Sequence, residues 1–181
     1  MDTPQKLILP DTTVLLRPPR ITDGTALWRL VRDVKVLDLN SPYAYFLLAE
    51  HFVETCVLAM QGDEIVGFVL AYIPPAVPDT LFVWQAGAAE KMRGRGLSKR
   101  MILSVLQRDS CRHLKALRST VTPSNQASRA LLRSVARAVG AELEIRPDHL
   151  RAEWFPEGGH EAESLFIISP IDVTNITLSH A

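Results

Sequence analysis

The 181-residue chain has little cysteine: Cys56 and Cys111 stand far apart, without the close spacing of metal ligands. So few thiols exclude a disulfide framework, and both read as reduced residues in or near the core. An excess of charge of one sign is also missing, because 20 Lys and Arg balance 20 Asp and Glu. That balance removes any global electrostatic case for nucleic acid or an anionic membrane as partner, so a phosphate site would have to be local. No stretch approaches the roughly 20 apolar residues that cross a bilayer. The opening MDTPQKLILPD is neither basic nor apolar enough for a signal peptide, so the expected address is the cytoplasm. Internal repeats and low-complexity segments are absent as well.

What is present is an ordinary globular composition, 47% hydrophobic and 22% charged. The length suits a single domain over residues 1–181, with its core at about 14–170. The periodicity changes several times along the chain, which points to a mixed α/β protein. TVLLRPPR predicts an opening strand. TDGTALWRLVRDV predicts a helix with Thr22 as its N-cap and Leu27, Leu30 and Val31 on one face. Ser41 and Pro42 start a second helix as N-cap and first-turn residue. Two strand-like runs flank Gln61-Gly62-Asp63-Glu64, a hairpin signal. The strand TLFVWQAGA, the helix GLSKRMILSVLQR and the strand LKALRSTVT follow. NQASRALLRSVARAVG is a further helix, with Asn125 near its start and Gly140 at its stop. AELEIRP and AESLFIISP are final strands, and DHLRAEWFPEGGHE between them reads as a functional loop. The predicted order is β-α-α-β-β-β-α-β-α-β-β.

The segment WQAGAAEKMRGRGLSKRMILSVL joins a strand to a helix through an arginine- and glycine-rich turn. A helix N-terminus offers free backbone N–H groups and the positive end of its dipole. Gly94 and Gly96 let the backbone approach a ligand, while Arg93 and Arg95 add charge that can meet phosphate oxygens. A pyrophosphate fits such a turn, and so does a plain surface turn with solvated arginines. The spacing matches neither the P-loop nor the dinucleotide fingerprint.

RGRGLS, lying between a strand and an apolar helix, with the second strand-to-helix junction at TVTPSNQAS, resembles the acetyl-CoA motif of the GNAT N-acetyltransferases. Ser98 stands where that family usually has Gly or Ala. The resemblance implies a GNAT fold, with a mixed, mostly antiparallel central sheet and helices on both faces. It implies acetyl-CoA as co-substrate and no metal. Gln85, Ala86, Gly87 and Ala88 would line the pantetheine arm on a strand that splays from its neighbour, and one of their N–H groups would polarise the thioester oxygen. Arg93, Gly94, Arg95, Gly96, Leu97 and Ser98 would wrap the pyrophosphate. Asn125 matches an asparagine set against the CoA arm, and it also reads as the N-cap of its helix. The tyrosine with which many members protonate the leaving thiolate has no counterpart among Leu131, Leu132, Arg133 and Ser134.

Further stretches, LDLNSPYAYFLLAEHF, GFVLAYIPPAVPDTLFVWQ, TVTPSNQAS and GHEAESLF, are similar to one branch of that family, the L-2,4-diaminobutyrate acetyltransferases of ectoine biosynthesis and osmoprotection. That resemblance implies acetylation of the 4-amino group, a homodimer, and a substrate site containing Asp38, Asn40, Ser41, Tyr43, Trp84 and Glu163. These residues suit the substrate. A short diamine with one carboxylate needs anionic partners, which Asp38 and Glu163 supply, and Trp84 can wall a narrow slot. Glu163 or His160 would accept the ammonium proton, because an alkylammonium near pKa ~10 must lose a proton before it can attack. Each residue has a plainer reading: Asp38 as a turn residue, Tyr43 as a surface hydroxyl, Trp84 as strand packing, His160 and Glu163 as solvated loop residues. Another amine as acceptor, such as a protein N-terminus or polyamine, and a non-catalytic acetyl-CoA-binding module also remain open.

Overall fold

The computed structural model describes residues 4–35, 37–156 and 158–176. Met1 and the C-terminal residues 177–181, at the two ends of the expected domain, lie outside the described residues, as does Glu157 of the loop DHLRAEWFPEGGHE. The strands are β1 (Gln5–Leu9), β2 (Thr12–Arg17), β3 (Val57–Gln61), β4 (Glu64–Tyr72), β5 (Thr80–Ala88), β6 (Ala116–Val121), β7 (Glu142–Leu150) and β8 (Glu163–Ser169). The helices are α1 (Gly24–Val34), α2 (Pro42–His51), α3 (Leu97–Leu106) and α4 (Gln126–Ala138). All the strands form one sheet in the order β1-β2-β3-β4-β5-β6-β8-β7. Every neighbouring pair is antiparallel except β5 and β6. This is the mixed, mostly antiparallel sheet the sequence predicts.

Helices cover both faces because the central strands are apolar on both sides. β4 alternates Val66, Val69 and Ala71 toward one core with Ile65, Phe68 and Leu70 toward the other. The first core receives Leu97, Met101, Ile102 and Val105 from α3, with Leu132 and Val135 from α4. The second receives Leu27, Val31 and Val34 of α1, spaced on one helical face, with Tyr45 and Leu48 of α2. Gly62, with φ +60°, turns the β3-β4 hairpin, where Gln61 pairs with Glu64 as expected. Gly140, with φ +65°, follows α4 as its predicted stop.

Several expectations change. A strand precedes TVLLRPPR: β1 pairs with β2 over its whole length. Thr22 does not cap α1. It lies in a short 3-10 turn, Ile21–Asp23, and Asp23 holds the N-cap position. Its side chain makes no capping bond to α1; the carboxylate instead accepts from the Arg20 amide at 2.7 Å and from two Arg17 nitrogens at 2.6 and 2.9 Å, which fixes the turn that leads into the helix. β7 runs on through Asp148, His149 and Leu150, which the sequence suggests are loop. Its pairing with β8 shifts register between Arg146 and Leu150, so the irregular stretch hides inside a strand. Cys56 and Cys111 are free and buried, and burial pushes the Cys56 thiol up to about 12.

The sheet opens at its one parallel pair. β5 pairs with β6 only at Thr80–Phe82 against Ala116–Arg118, then stays with β4 as far as Ala88 opposite Gly67. β6 instead follows β8, through Val121 opposite Ser164. From Val83 onward the two strands therefore diverge, leaving a wedge between them. The register of β4 and β5 also slips there. Leu70 faces Gln85 and Ala71 faces Val83, so Trp84 is the extra residue of a bulge. A bulge turns consecutive side chains to one face, and Trp84 and Gln85 both reach the α1-α2 side.

Candidate active site

The wedge opens into a cleft of about 930 Å³, lined by Trp84 and Gln85 of β5, Thr120 and Val121 of β6, and Asn125 at the start of α4. Across it lie Asp38 and Asn40 from the α1-α2 connection, and His160 and Glu163 from the loop entering β8. Residues distant in sequence thus meet where two strands part.

Three groups define one end of the cleft. His160 Nε2 lies 3.2 Å from Asp38 Oδ2 and 3.7 Å from Glu163 Oε1. His160 Nδ1 lies 2.6 Å from the Glu161 carbonyl oxygen, which can only accept, so Nδ1 carries hydrogen and Nε2 is the nitrogen turned to the carboxylates. The Phe155 ring stacks on the imidazole with centroids 3.8 Å apart. Partial burial of His160 disfavours its charged form. The bond to Glu161, the bond to Asp38, and the charges of Asp38 and Glu163 outweigh that and raise its pKa above the ordinary histidine value. The Glu163 side chain is 14% exposed and that of Asp38 is 76% exposed, so Glu163 is the recessed carboxylate and Asp38 the one at the mouth. The ligand atoms of all three lie within 4.8 Å of one another.

A second set of groups shapes the other side of the wedge. Beyond Val83 the outer edge of β5, at Gln85, Ala86, Gly87 and Ala88, faces the wedge with no β6 partner. Gly87 is demanded by packing, since a Cβ there would lie 2.8 Å from the Phe68 ring. In the turn, Gly94 and Gly96 have φ of +73° and +71°, and nothing lies within 4 Å of where a Cβ would project. That open, left-handed backbone leads into the first helical amides, those of Leu97 and Ser98, an arrangement of the kind that suits an anion. The arginines have other partners. Arg93 donates to the Val34 carbonyl at 3.1 Å; Arg95 donates to the Lys91 carbonyl at 3.2 Å and pairs with Asp11 at 3.1 Å. They brace the turn, and the backbone is what it presents. Asn125 caps α4, accepting from the Ser128 amide at 3.0 Å.

Of the predicted substrate residues, Asp38, Asn40, Trp84 and Glu163 meet in the cleft and His160 joins them. Ser41 instead holds the N-cap position of α2 and is exposed, and Tyr43 is 69% exposed on the outer side of that helix. The tyrosine brought inside is Tyr45, fully buried and 6.2 Å from the Trp84 ring. Helical period could have found it: Tyr45, Leu48 and Ala49 share the buried face, and Tyr43 lies across from it. Phe155 and Glu161 had no signal beyond their place in a polar loop. Glu161 accepts from both the amide and the hydroxyl of Ser124, tying that loop to the entrance of α4.

The Acetyltransferase (GNAT) family model matches residues 25–136. The L-2,4-diaminobutyric acid acetyltransferase of Halalkalibacterium halodurans is 42% identical over 161 residues, covering 89% of this chain and 84% of that protein. The protein of the same name from Bordetella parapertussis is 45% identical over 156 residues, 86% of this chain and 83% of its own. Among solved structures, the diaminobutyrate acetyltransferase from Paenibacillus lautus, in complex with its substrate L-2,4-diaminobutyric acid and coenzyme A, superposes with a TM-score of 0.83. It is 41% identical, over 87% of this chain and 95% of that one.

Proposed function

The chain belongs to the GNAT acetyltransferases and, within them, to the L-2,4-diaminobutyric acid acetyltransferases, and from this premise we infer that it moves the acetyl group of acetyl-CoA to the 4-amino group of L-2,4-diaminobutyrate. The observation that carries the reading is the pair of carboxylates, Asp38 and Glu163, gathered by His160 at one end of a cleft that begins where β5 leaves β6.

Acetyl-CoA supplies the acetyl group as an activated thioester. The residues of this chain that would hold it are the free edge of β5 from Gln85 to Ala88, the backbone at Arg93, Gly94, Arg95 and Gly96, the first amides of α3 at Leu97 and Ser98, and Asn125. The open backbone at Gly94 and Gly96 fits a pyrophosphate.

The rest of the chemistry falls to side chains. Diaminobutyrate is a dication with one carboxylate near neutral pH, and Asp38 and Glu163 offer its ammonium groups two anions at one end of the cleft. Trp84, turned into the cleft by the bulge, walls the aliphatic chain. Pairing one ammonium with a carboxylate orients the other, and positioning of this kind lowers a barrier by several kcal/mol. The reacting ammonium must give up a proton. Glu163 accepts it directly, or passes it to Nε2 of a neutral His160, 3.7 Å away. The freed amine then attacks the thioester carbonyl, the C–S bond breaks and CoA leaves as the thiolate. An incoming ammonium competes with an imidazolium for the same carboxylates, which frees Glu163 as the substrate arrives.

A homodimeric assembly, a cytoplasmic location and a role in ectoine biosynthesis complete the reading. The strand SLFIISP, whose apolar character suits an interface, is β8, buried between β6 and β7. β7, one of the two edge strands and exposed along most of its length, is the better candidate for contact with a second copy. The free, buried Cys56 and Cys111 suit a reducing compartment. No described helix is long and apolar enough to cross a membrane.

Mass spectrometry of diaminobutyrate incubated with acetyl-CoA and the protein, with fragmentation to locate the acetyl group, tests the reading. One acetyl on N4 is expected. No product, or faster CoA release with ornithine, lysine, spermidine or a peptide, overturns it.

A further inference from the structure

Beneath the cleft wall runs a polar relay built on two buried side chains, Gln85 and Tyr45. Gln85 is 6% exposed and Tyr45 is fully buried, yet both carry polar ends into the second core. Gln85 Nε2 donates to the Asp38 carbonyl at 2.7 Å. Its Oε1 receives the Tyr45 hydroxyl at 3.4 Å, and that hydroxyl accepts the Asn40 amide at 3.3 Å. Trp28 Nε1 adds a bond to the Asn40 carbonyl at 3.2 Å. The amide orientation is fixed, because flipping Gln85 would set its oxygen against the Asp38 carbonyl.

Two buried side chains, Gln85 and Tyr45, and the half-buried Trp28 thus satisfy the main chain of the short connection between α1 and α2. Such a connection would otherwise be held weakly, since its Asp38 side chain is 76% exposed. Gln85 reaches it because the bulge at Trp84 turns the side chains of residues 84 and 85 to the same face. In a regular strand one of the two would face the other core.

We propose that Gln85 and Tyr45 are positioning residues for amine recognition: they fix the backbone of residues 38–40 so that the Asp38 carboxylate closes the cleft against His160. The proposal rests on the diaminobutyrate reading above and assigns the Gln85 side chain a task separate from that of the Gln85 backbone, which faces the cofactor side. Removing the Gln85 amide leaves the Asp38 carbonyl with only the exposed Asn40 Nδ2, 3.2 Å away, as donor, so the connection loses its tie to β5 and the carboxylate moves with it.

The test uses the full chain with Gln85→Met, Tyr45→Phe, Asp38→Asn and the double variant Asp38→Asn/Gln85→Met. Tyr45→Phe keeps the ring that packs on Trp84 and so guards against a folding defect in Gln85→Met. We expect KM for diaminobutyrate to rise about tenfold in either relay variant, the scale of one lost hydrogen bond, with KM for acetyl-CoA within about twofold of the parent. In the Asp38→Asn background Gln85→Met should add almost nothing. An NMR titration of the His160 ring gives a readout independent of turnover: its midpoint should fall in both relay variants, as it should when Asp38 is neutralised. Equal rises in both KM values, additive losses in the double variant, or an unmoved His160 titration would overturn the proposal. A parent protein inert toward diaminobutyrate would instead overturn the functional reading, while the His160 titration would still decide whether Gln85 positions Asp38.

Discussion

Asp38 and His160 are separated by 122 positions in the chain, yet a carboxylate oxygen of one lies 3.2 Å from the Nε2 of the other. The contact closes one end of the cleft and links the α1-α2 connection to the loop entering β8.

It has a pH signature. With its folded pKa raised, the His160 imidazolium stabilises the protein fully below about pH 6.5, and that contribution is lost as pH rises through the folded value. NMR should therefore find the His160 midpoint above that of a free histidine, and Asp38→Asn should lower it. If neutral His160 takes the proton, kcat/KM for diaminobutyrate should rise with pH through that midpoint.

Neutralising the recessed carboxylate is the sharpest test of the chemistry. Glu163→Gln keeps shape and removes both the anion and the proton acceptor, so kcat should fall about 100-fold or more in a thiol-release assay. Asp38→Ala should act chiefly on KM for the amine. If Asp38→Ala and Glu163→Ala both kept parental turnover and affinity, the acidic pocket would not be the substrate site.

The turn before α3 should be sensitive to any side chain. Gly94 and Gly96 adopt left-handed backbone with open space above them. Alanine at either position would cost about 1–2 kcal/mol from backbone strain and narrow the approach to the amides. Calorimetry should show weaker acetyl-CoA binding with little change in affinity for the amine. Gly96→Trp should abolish acetyl-CoA binding.

The Arg17-Asp23 pair predicts acid lability at the start of α1. Burial opposes the Asp23 charge, but the bonds from Arg17 and the Arg20 amide prevail and hold its pKa below the ordinary aspartate range. Its contribution is present above about pH 4 and is lost as pH falls through the lowered value. Asp23→Asn should cost about 1–3 kcal/mol at pH 7 in denaturant unfolding, with the difference from the parent shrinking at low pH.

How much of this was legible in the sequence varies by residue. The pattern of apolar positions determines α1, α3 and α4, the β3-β4 hairpin and the two-sided apolar β4, because burial on a 3.6- or 2-residue period is a local property. The glycines of the turn at residues 93–98 were legible for the same reason, as left-handed backbone is demanded where it occurs. Asp38, Trp84, His160 and Glu163 were nameable only through resemblance to known acetyltransferases, since nothing local distinguishes a site carboxylate from a surface one.

The tertiary structure decided the rest. It put Tyr45 inside and Tyr43 outside, turned Arg93 and Arg95 to bracing contacts, made Asp23 rather than Thr22 the cap of α1, and set β1 beside β2. Above all it set Gln85 against Asp38, through a bulge in the β4-β5 pairing at the place where β5 and β6 part. That parting lies between strands distant in sequence, so no window of the sequence contains it.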